Sequence, residues 1–253
     1  KHHLYGTINL DKNFSTGQWL AKTIRIIKNI QKRKKIPILV GGTGLYFQSL
    51  VNGLVKIPQI PTVIRKKIRL MQKKDGQKKF YKKLLKIDTK AKDKFDPQDT
   101  HRSIRAYEIK YYTKISMYDW INNTKPEFKE KEFLRLYIDC DRESLLKRIS
   151  LRTKMMIEEG AIKEVKIFNK QKIKKDHSVT KVIGIVELTQ YIKNQINLDK
   201  AQELISIKTR QYAKRQVTWA RSKMRSWKKI NPTKIDDYIK KLNKSSLKLD
   251  QLI

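Results

Sequence analysis

Three glycines around one threonine form the stretch best suited to chemistry, Val40-Gly41-Gly42-Thr43-Gly44. Glycine has no Cβ atom, so the backbone can turn sharply here and pass close to a ligand. The apolar run 36–40 predicts a buried parallel strand, and a helical period follows from Tyr46. Because open α/β sheets bind ligands at the carboxyl ends of their strands, Thr43 is a candidate for substrate contact. The alternative is that its hydroxyl simply caps the helix.

A basic stripe on a long helix, predicted over 200–227, is the second candidate. At 100° per residue, one side of this helix combines four cations with a threonine: Arg210, Lys214, Thr218, Arg221 and Arg225. Guanidinium groups bind phosphate oxygens in a bidentate manner, so the stripe indicates RNA or phosphate binding, with a solvated basic face as the alternative. Gln216 falls in the apolar arc instead, where its amide must find a partner.

Two shorter groups of cations could also bind anions. Arg148 and Arg152 lie four residues apart on a predicted helix, so they could clamp a diphosphate together or pair with surface carboxylates. The stretch 101–105 places one histidine and two arginines at a helix start, where a bound anion or plain solvation would offset the helix dipole. The four histidines lack metal-ligand spacing. No glycine precedes a lysine, so the P-loop motif is absent.

The charge balance favours a polyanionic partner. Among 253 residues, 60 are Lys or Arg and 24 are Asp or Glu, giving a formal net charge of +36. Nucleic acid is the first expectation and an anionic membrane the second, although an AT-rich coding bias also raises the lysine content. Cys140 is the only cysteine, which excludes an intrachain disulfide and fits the cytoplasm. No apolar run is long enough to span a membrane.

The elements that position these groups predict an α/β fold with a helical insertion. We divide the chain into a first core part (1–53), a helical insertion (54–130) and a second core part with a helical tail (131–253). Predicted helices cover 18–34, 62–71, 78–87, 89–94, 100–112, 142–160, 161–171, 186–194 and 200–227. Predicted strands cover 36–40, 132–139 and 227–230.

Several motifs together resemble the bacterial tRNA dimethylallyltransferases, also called isopentenyl-tRNA transferases. The matching stretches are 40–47, 53–54, 102–108, 183–184 and 214–221. The resemblance implies a P-loop kinase-like parallel-sheet core with an insertion domain that grips the tRNA anticodon stem-loop. It also implies transfer of a dimethylallyl group from dimethylallyl diphosphate to N6 of the adenine on the 3′ side of the anticodon. Mg²⁺ and cationic groups would hold the departing diphosphate.

The resemblance implies roles for individual residues as well. Thr43 resembles the catalytic threonine of the reaction channel, and Arg152, with Arg148 beside it, resembles the diphosphate-binding arginine. No residue is expected to bind the metal directly. The implied tRNA contacts are Thr43, Arg65, His101, Arg102, Ser103, Ile104, Arg105, Lys181, Val182, Ile183, Gly184, Ile185, Val186, Lys214, Arg215, Gln216, Val217, Thr218, Trp219, Ala220 and Arg221.

The chain departs from the family pattern at two places. Ile185 and Val186 stand where the family often has Tyr and Arg, which removes polar contacts from that loop. The family's P-loop and general base would lie before Lys1, so we expect a preceding segment and no transfer by these 253 residues alone. We expect a cytoplasmic monomer that does not bind membranes. A catalytically silent tRNA-binding module and a nucleoside or nucleotide kinase are the alternatives.

Overall fold

The computed structural model describes residues 1–171, 173 and 177–244. Its chain forms two compact units. One is Ser49–Phe128, and the other combines Lys1–Gln48 with the described residues from Lys129 onward. The functional division predicted from the sequence, with a tRNA-binding insertion at 54–130, stays a prediction. None of the described helices is long and apolar enough to cross a membrane.

Helices dominate both units. In chain order the longer helices are α1 (Thr16–Lys32), α2 (Gly44–Val51), α3 (Thr62–Ile87), α4 (Thr100–Thr113), α5 (Met117–Asn122), α6 (Arg142–Met156), α7 (Ile162–Asn169), α8 (Ile185–Ile192), α9 (Leu198–Lys223) and α10 (Ile235–Lys244). Strands β1 (Leu136–Ile138) and β2 (Lys228–Ile230) pair in parallel, with Leu136 opposite Lys228 and Ile138 opposite Ile230. The described chain is therefore mostly helical with a small parallel sheet.

Local sequence explains where several helices begin. In α1, the Ser15 hydroxyl accepts from the Gln18 amide at 3.3 Å, and the Gln18 side chain accepts from the Ser15 amide at 2.9 Å. Asp141 caps α6 by accepting from the Ser144 amide at 2.8 Å, and Asn197 caps α9. Each such cap satisfies an amide that the first helical turn leaves without a backbone partner.

Each unit has a small apolar core of its own. In the first unit, α7, α8 and α9 pack around Val165, Leu188 and Ile205. In the second, α3 packs along α4 over Leu84, Phe95 and Ala106. These cores fix the helices that carry the candidate site residues.

The prediction of a buried strand at 36–40 is wrong. This stretch forms no regular secondary structure, and Ile38 and Val40 are 83% and 87% exposed. Its β-branched composition suits a strand, but a strand also needs a neighbour for its amides and carbonyls. Within the described residues the sheet consists of β1 and β2 only, so 36–40 has no such neighbour.

In the second unit, the helices differ from the predicted ones at three places. The two helices predicted between 62 and 87 are one element, α3, interrupted at Gly76 with φ 72°. The helix predicted at 89–94 is a single 3₁₀ turn, Thr89–Ala91, because Asp93 adopts a left-handed conformation with φ 59°. Helix α5 was not predicted, although Ser116 caps it by accepting from the Tyr118 amide.

Candidate functional site

The glycine turn lies directly against helix α9. The Gln216 amide nitrogen donates a hydrogen bond to the Gly42 carbonyl at 3.1 Å, which supplies the partner that its apolar position required. A Cβ atom on Gly42 would lie 2.1 Å from that nitrogen, and one on Gly44 would lie 2.3 Å from the Trp219 ring. Glycine is therefore needed here because of a close approach to another helix.

Aromatic contacts hold the start of α2 in place behind this turn. Trp19 stacks on Tyr46 with ring centroids 4.3 Å apart and an interplanar angle of 12°. Phe47 meets Trp227 edge to face at 5.6 Å. Such ring pairs have defined orientations, so they fix the direction in which the turn enters α2.

Thr43 stands exposed at the tip of this turn. Its carbonyl accepts from the Tyr46 amide at 3.0 Å, but its hydroxyl makes no hydrogen bond within the described residues. The hydroxyl therefore does not cap α2, which was the alternative raised by the sequence. It is open to a ligand, as the predicted catalytic role requires.

All five residues of the predicted basic stripe are exposed, but α9 ends at Lys223 and not at 227 as predicted, so Arg225 follows the helix. In the described part of the chain, no ion pair neutralises Arg210, Lys214, Arg221 or Arg225. Thr218 donates back to the Lys214 carbonyl at 3.0 Å. The stripe therefore presents uncompensated positive charge, as an anion-binding surface needs.

Arg221 of the stripe lies near strand β1. Burial raises the pKa of Tyr137, the carboxylate of Asp139 raises it further, and the positive charge of Arg221 opposes the shift. The cationic helix thus reaches the end of the small sheet, where Asp139 follows β1.

The predicted diphosphate arginines are exposed and unpaired. Arg148 and Arg152 lie one turn apart on α6, which packs against α9. Neither forms an ion pair among the described residues, so the competing expectation, pairing with surface carboxylates, is not realised. Their role in binding diphosphate stays a prediction.

A buried carboxylate shapes the loop 181–186. Gly184 has φ 104°, and its amide donates to Glu187 at 2.9 Å. Glu187 also pairs with Lys208 of α9. Burial raises the pKa of Glu187, but the bonds from Lys208 and the backbone amides outweigh burial and lower it. The sequence reasoning missed Glu187, although its position three residues after Gly184 is typical of a helix start.

Burial separates the predicted tRNA contacts into two groups. Ser103, Gly184 and Ala220 are buried, and Ser103 accepts a bond from the Gln77 amide at 2.9 Å. The side chains of Ser103 and Ala220 and the backbone of Gly184 therefore support the surface and do not form it. Exposed positions among the predicted contacts are Thr43, Arg65, His101, Arg102, Arg105, Lys181, Val182, Val186, Lys214, Arg215, Thr218 and Arg221, and half-buried ones are Ile104, Ile183, Ile185, Gln216, Val217 and Trp219.

The first unit therefore places an exposed hydroxyl on a glycine turn that packs against a helix bearing unpaired cations. Charges of one sign, left without counterions, are what a phosphate-rich ligand neutralises. This arrangement is of the kind that anion-binding proteins use.

Comparison with known proteins specifies the class further. A family model described as IPP transferase matches residues 1–223. A "tRNA dimethylallyltransferase" of Pelagibacter ubique is 70% identical over 252 residues, covering 100% of this chain and 80% of the relative. A second "tRNA dimethylallyltransferase", from Allorhizobium ampelinum, is 34% identical over 233 residues, covering 91% of this chain and 77% of the relative. The chain belongs to the IPP transferase family.

Solved structures agree with this assignment. A full-length tRNA isopentenylpyrophosphate transferase of Bacillus halodurans superposes with a TM-score of 0.64 at 27% identity, covering 99% of this chain and 79% of that one. A eukaryotic dimethylallyltransferase acting on tRNA gives a TM-score of 0.71 at 28% identity, covering 84% of this chain and 54% of that one.

Proposed function

We propose that this protein is a tRNA dimethylallyltransferase. It transfers a dimethylallyl group from dimethylallyl diphosphate to N6 of the adenine on the 3′ side of the anticodon. The contact between the glycine turn and α9 carries the proposal, because Gly42 and Gln216 belong to two motifs of the family that are far apart in sequence. Relatives that carry the name tRNA dimethylallyltransferase, which match 100% and 91% of this chain, support the proposal.

The proposed reaction is a single displacement at carbon. The adenine N6 forms a bond to C1 of the dimethylallyl group, the bond from C1 to the diphosphate oxygen breaks, and N6 loses one proton. Diphosphate leaves with the bonding electron pair, so cations near it lower the barrier. Arg152 and Arg148 fit this task because both are exposed and unpaired, and the free Thr43 hydroxyl fits a contact with the adenine.

Magnesium belongs to the proposal as a companion of the diphosphate. Mg²⁺ binds oxygen ligands and often takes several of them from substrate phosphates and water. The described residues contain no group of three or more His, Cys, Asp or Glu side chains that could hold a metal ion. We assign no step of the reaction to the ion.

We also propose that the parallel-sheet core is of the P-loop kinase-like type. A P-loop cradles phosphates through a glycine-rich turn that ends in Gly-Lys. None of the nine glycines among these 253 residues is followed by lysine. The P-loop core therefore rests on the family resemblance and not on a motif of these residues. We also propose a cytoplasmic monomer that acts on tRNA without binding membranes.

The test is a product assay with the complete gene product. Purified enzyme is incubated with tRNA, dimethylallyl diphosphate and Mg²⁺, and the digested nucleosides are identified by mass spectrometry. The proposal predicts N6-dimethylallyladenosine among the nucleosides of the treated tRNA. Tight, salt-sensitive tRNA binding by the complete protein without product would instead identify a silent binding module. Phosphoryl transfer from ATP to a nucleoside would identify a kinase.

A further inference from the structure

Glu108, on helix α4 of the second unit, is a buried carboxylate that the proposed reaction does not use. Its side chain is only 2% exposed, yet it lies within 4 Å of three arginines. Its oxygens are 3.8 Å from Arg65 Nε, 3.6 Å from Arg69 Nε and 3.6 Å from Arg105 Nη1. We call these four residues the Glu108 cluster.

Helix periodicity and packing bring the cluster together. Arg65 and Arg69 are one turn apart on α3, so both project from the same side. Arg105 and Glu108 are three residues apart on α4, which packs along α3. The sequence alone gave no reason to connect Arg69 with Arg105, because they lie on different helices.

The cluster carries more positive charge than its carboxylate can neutralise. Three guanidinium groups face one carboxylate, which leaves two positive charges in excess. The described residues offer these arginines no other carboxylate. Their distances to Glu108 exceed the 2.7–3.2 Å range typical of hydrogen bonds, so most N–H donors stay available. The arginine side chains are between 45% and 59% exposed, and those donors can reach a ligand from solvent.

We propose that Glu108 is a positioning residue that gathers Arg65, Arg69 and Arg105 into a binding site for phosphate groups of the RNA substrate. This inference rests on the proposed function. An arginine has many rotamers, and ordering it at the moment of binding costs affinity. A buried carboxylate that attracts three arginines orders them in advance, and phosphate oxygens accept the remaining donors in a bidentate manner.

An RNA backbone fits the cluster better than a free diphosphate does. The arginines are half exposed on a helical surface, where a small anion competes with water and salt on all sides. An RNA that is held at several points presents its phosphates at high effective concentration, so even weak individual contacts contribute to its affinity.

The decisive variant is Glu108→Gln, which keeps the shape of the side chain and removes its negative charge. If Glu108 acted only through its charge, the variant would bind RNA more tightly. Positioning predicts the opposite, namely weaker binding of a synthetic anticodon stem-loop by about 3- to 10-fold with a smaller salt dependence. Asp119→Asn is the matched control, because Asp119 is a carboxylate of the same unit that pairs with Lys90 at 2.6 Å. It should not weaken binding.

Two further readouts separate positioning from a purely structural role. Glu108→Gln should raise the KM for tRNA about 3- to 10-fold and leave kcat at saturating tRNA unchanged, because the role proposed for the cluster is RNA binding and not the displacement at carbon. Arg69→Gln should raise the same KM in the wild-type background and have a much smaller effect in the Glu108→Gln background, since the two residues act as one unit.

Three outcomes would overturn the inference. The first is a folded Glu108→Gln enzyme that binds the stem-loop as tightly as the wild type. The second is a change in inhibition by inorganic pyrophosphate without a change in the KM for tRNA, which would assign the cluster to a free diphosphate. The third outcome applies if Glu108→Gln does not fold. In that case the inference is overturned by an Arg69→Gln enzyme whose KM for tRNA and salt dependence of RNA binding equal those of the wild type.

Failure of the inference is distinguishable from failure of the proposed function. A wild-type enzyme that prenylates tRNA, with variants that keep its KM, contradicts the role of Glu108 alone. A wild-type enzyme that forms no prenylated tRNA contradicts the proposed function, and the inference falls with it.

Discussion

Thr43 combines an exposed hydroxyl with a backbone fixed by its neighbours, so its replacement tests chemistry more than folding. Thr43→Ala should lower kcat about 10- to 100-fold and change the tRNA dissociation constant less than 3-fold, because the contact that we propose for Thr43 is with the reacting adenine. Steady-state kinetics at saturating tRNA measure kcat, and filter binding measures the dissociation constant. An unchanged rate with weakened tRNA binding would make Thr43 a positioning residue.

Gly44 and Gly41 form a matched pair at the same turn. A Cβ on Gly44 would overlap the rigid Trp219 ring at 2.3 Å, whereas a Cβ on Gly41 would make an ordinary contact with Phe47 at 3.8 Å. Gly44→Ala should therefore destabilise the protein by about 1–3 kcal/mol, despite the better helix propensity of alanine. Gly41→Ala should cost much less.

Urea unfolding of the two glycine variants measures this difference directly. Equal stabilities would show that Trp219 does not lie against the turn. Gly42→Ala should have an intermediate stability, because the atom that its Cβ would meet is the far end of the Gln216 side chain, which can move.

At the scale of elements, Glu187 couples the 181–186 loop to α9 in a pH-dependent manner. Its pKa in the folded protein lies below its ordinary value of 4.5, so the charged form stabilises the native state. This contribution is complete above about pH 4.5 and is lost as the pH falls through the folded-state pKa. Glu187→Gln should therefore lose less stability than the wild type between pH 5 and pH 3.

Chemical denaturation at several pH values, compared between wild type and variant, tests the role of Glu187. Other carboxylates titrate in the same range, so the informative quantity is the difference between the two curves. Parallel curves would show that Glu187 titrates alike in the folded and unfolded states.

Arg221 tests the cationic face of α9. Arg221→Ala should weaken tRNA binding and reduce the slope of log affinity against log salt by about 1, because one phosphate contact is lost. Arg25→Ala on α1 is the control, since Arg25 is also exposed but has no assigned role. A salt slope equal to that of the control would identify Arg221 as a structural arginine.

Elements with strong local signals were predictable from the sequence, whereas the contacts between them were not. The helix predicted at 18–34 corresponds to α1, which Ser15 caps, and the helix predicted from 142 begins where Asp141 caps α6. The amide of Gln216 showed only that a partner must exist; the partner, Gly42, is 174 residues away. The stretch 36–40 had the composition of a strand, but pairing depends on a neighbour that local sequence does not reveal.

Across the whole molecule, the charge excess is consistent with a polyanionic substrate. The formal net charge is +36, and α9 and the Glu108 cluster show where part of the excess stays unpaired. Lysine-rich composition alone did not distinguish RNA binding from coding bias. The arginines of α9 and of the Glu108 cluster favour RNA binding over coding bias, because the fixed guanidinium geometry matches phosphate oxygens.

The central claim about the whole protein is that it prenylates tRNA at one specific position. The most direct measurement compares two tRNAs that differ only at the position on the 3′ side of the anticodon, one with adenosine and one with inosine, which lacks the exocyclic amine. With the complete enzyme and dimethylallyl diphosphate, mass spectrometry should find a dimethylallyl group on the adenosine tRNA and none on the inosine tRNA. Equal modification of both tRNAs, or of neither, would contradict the account.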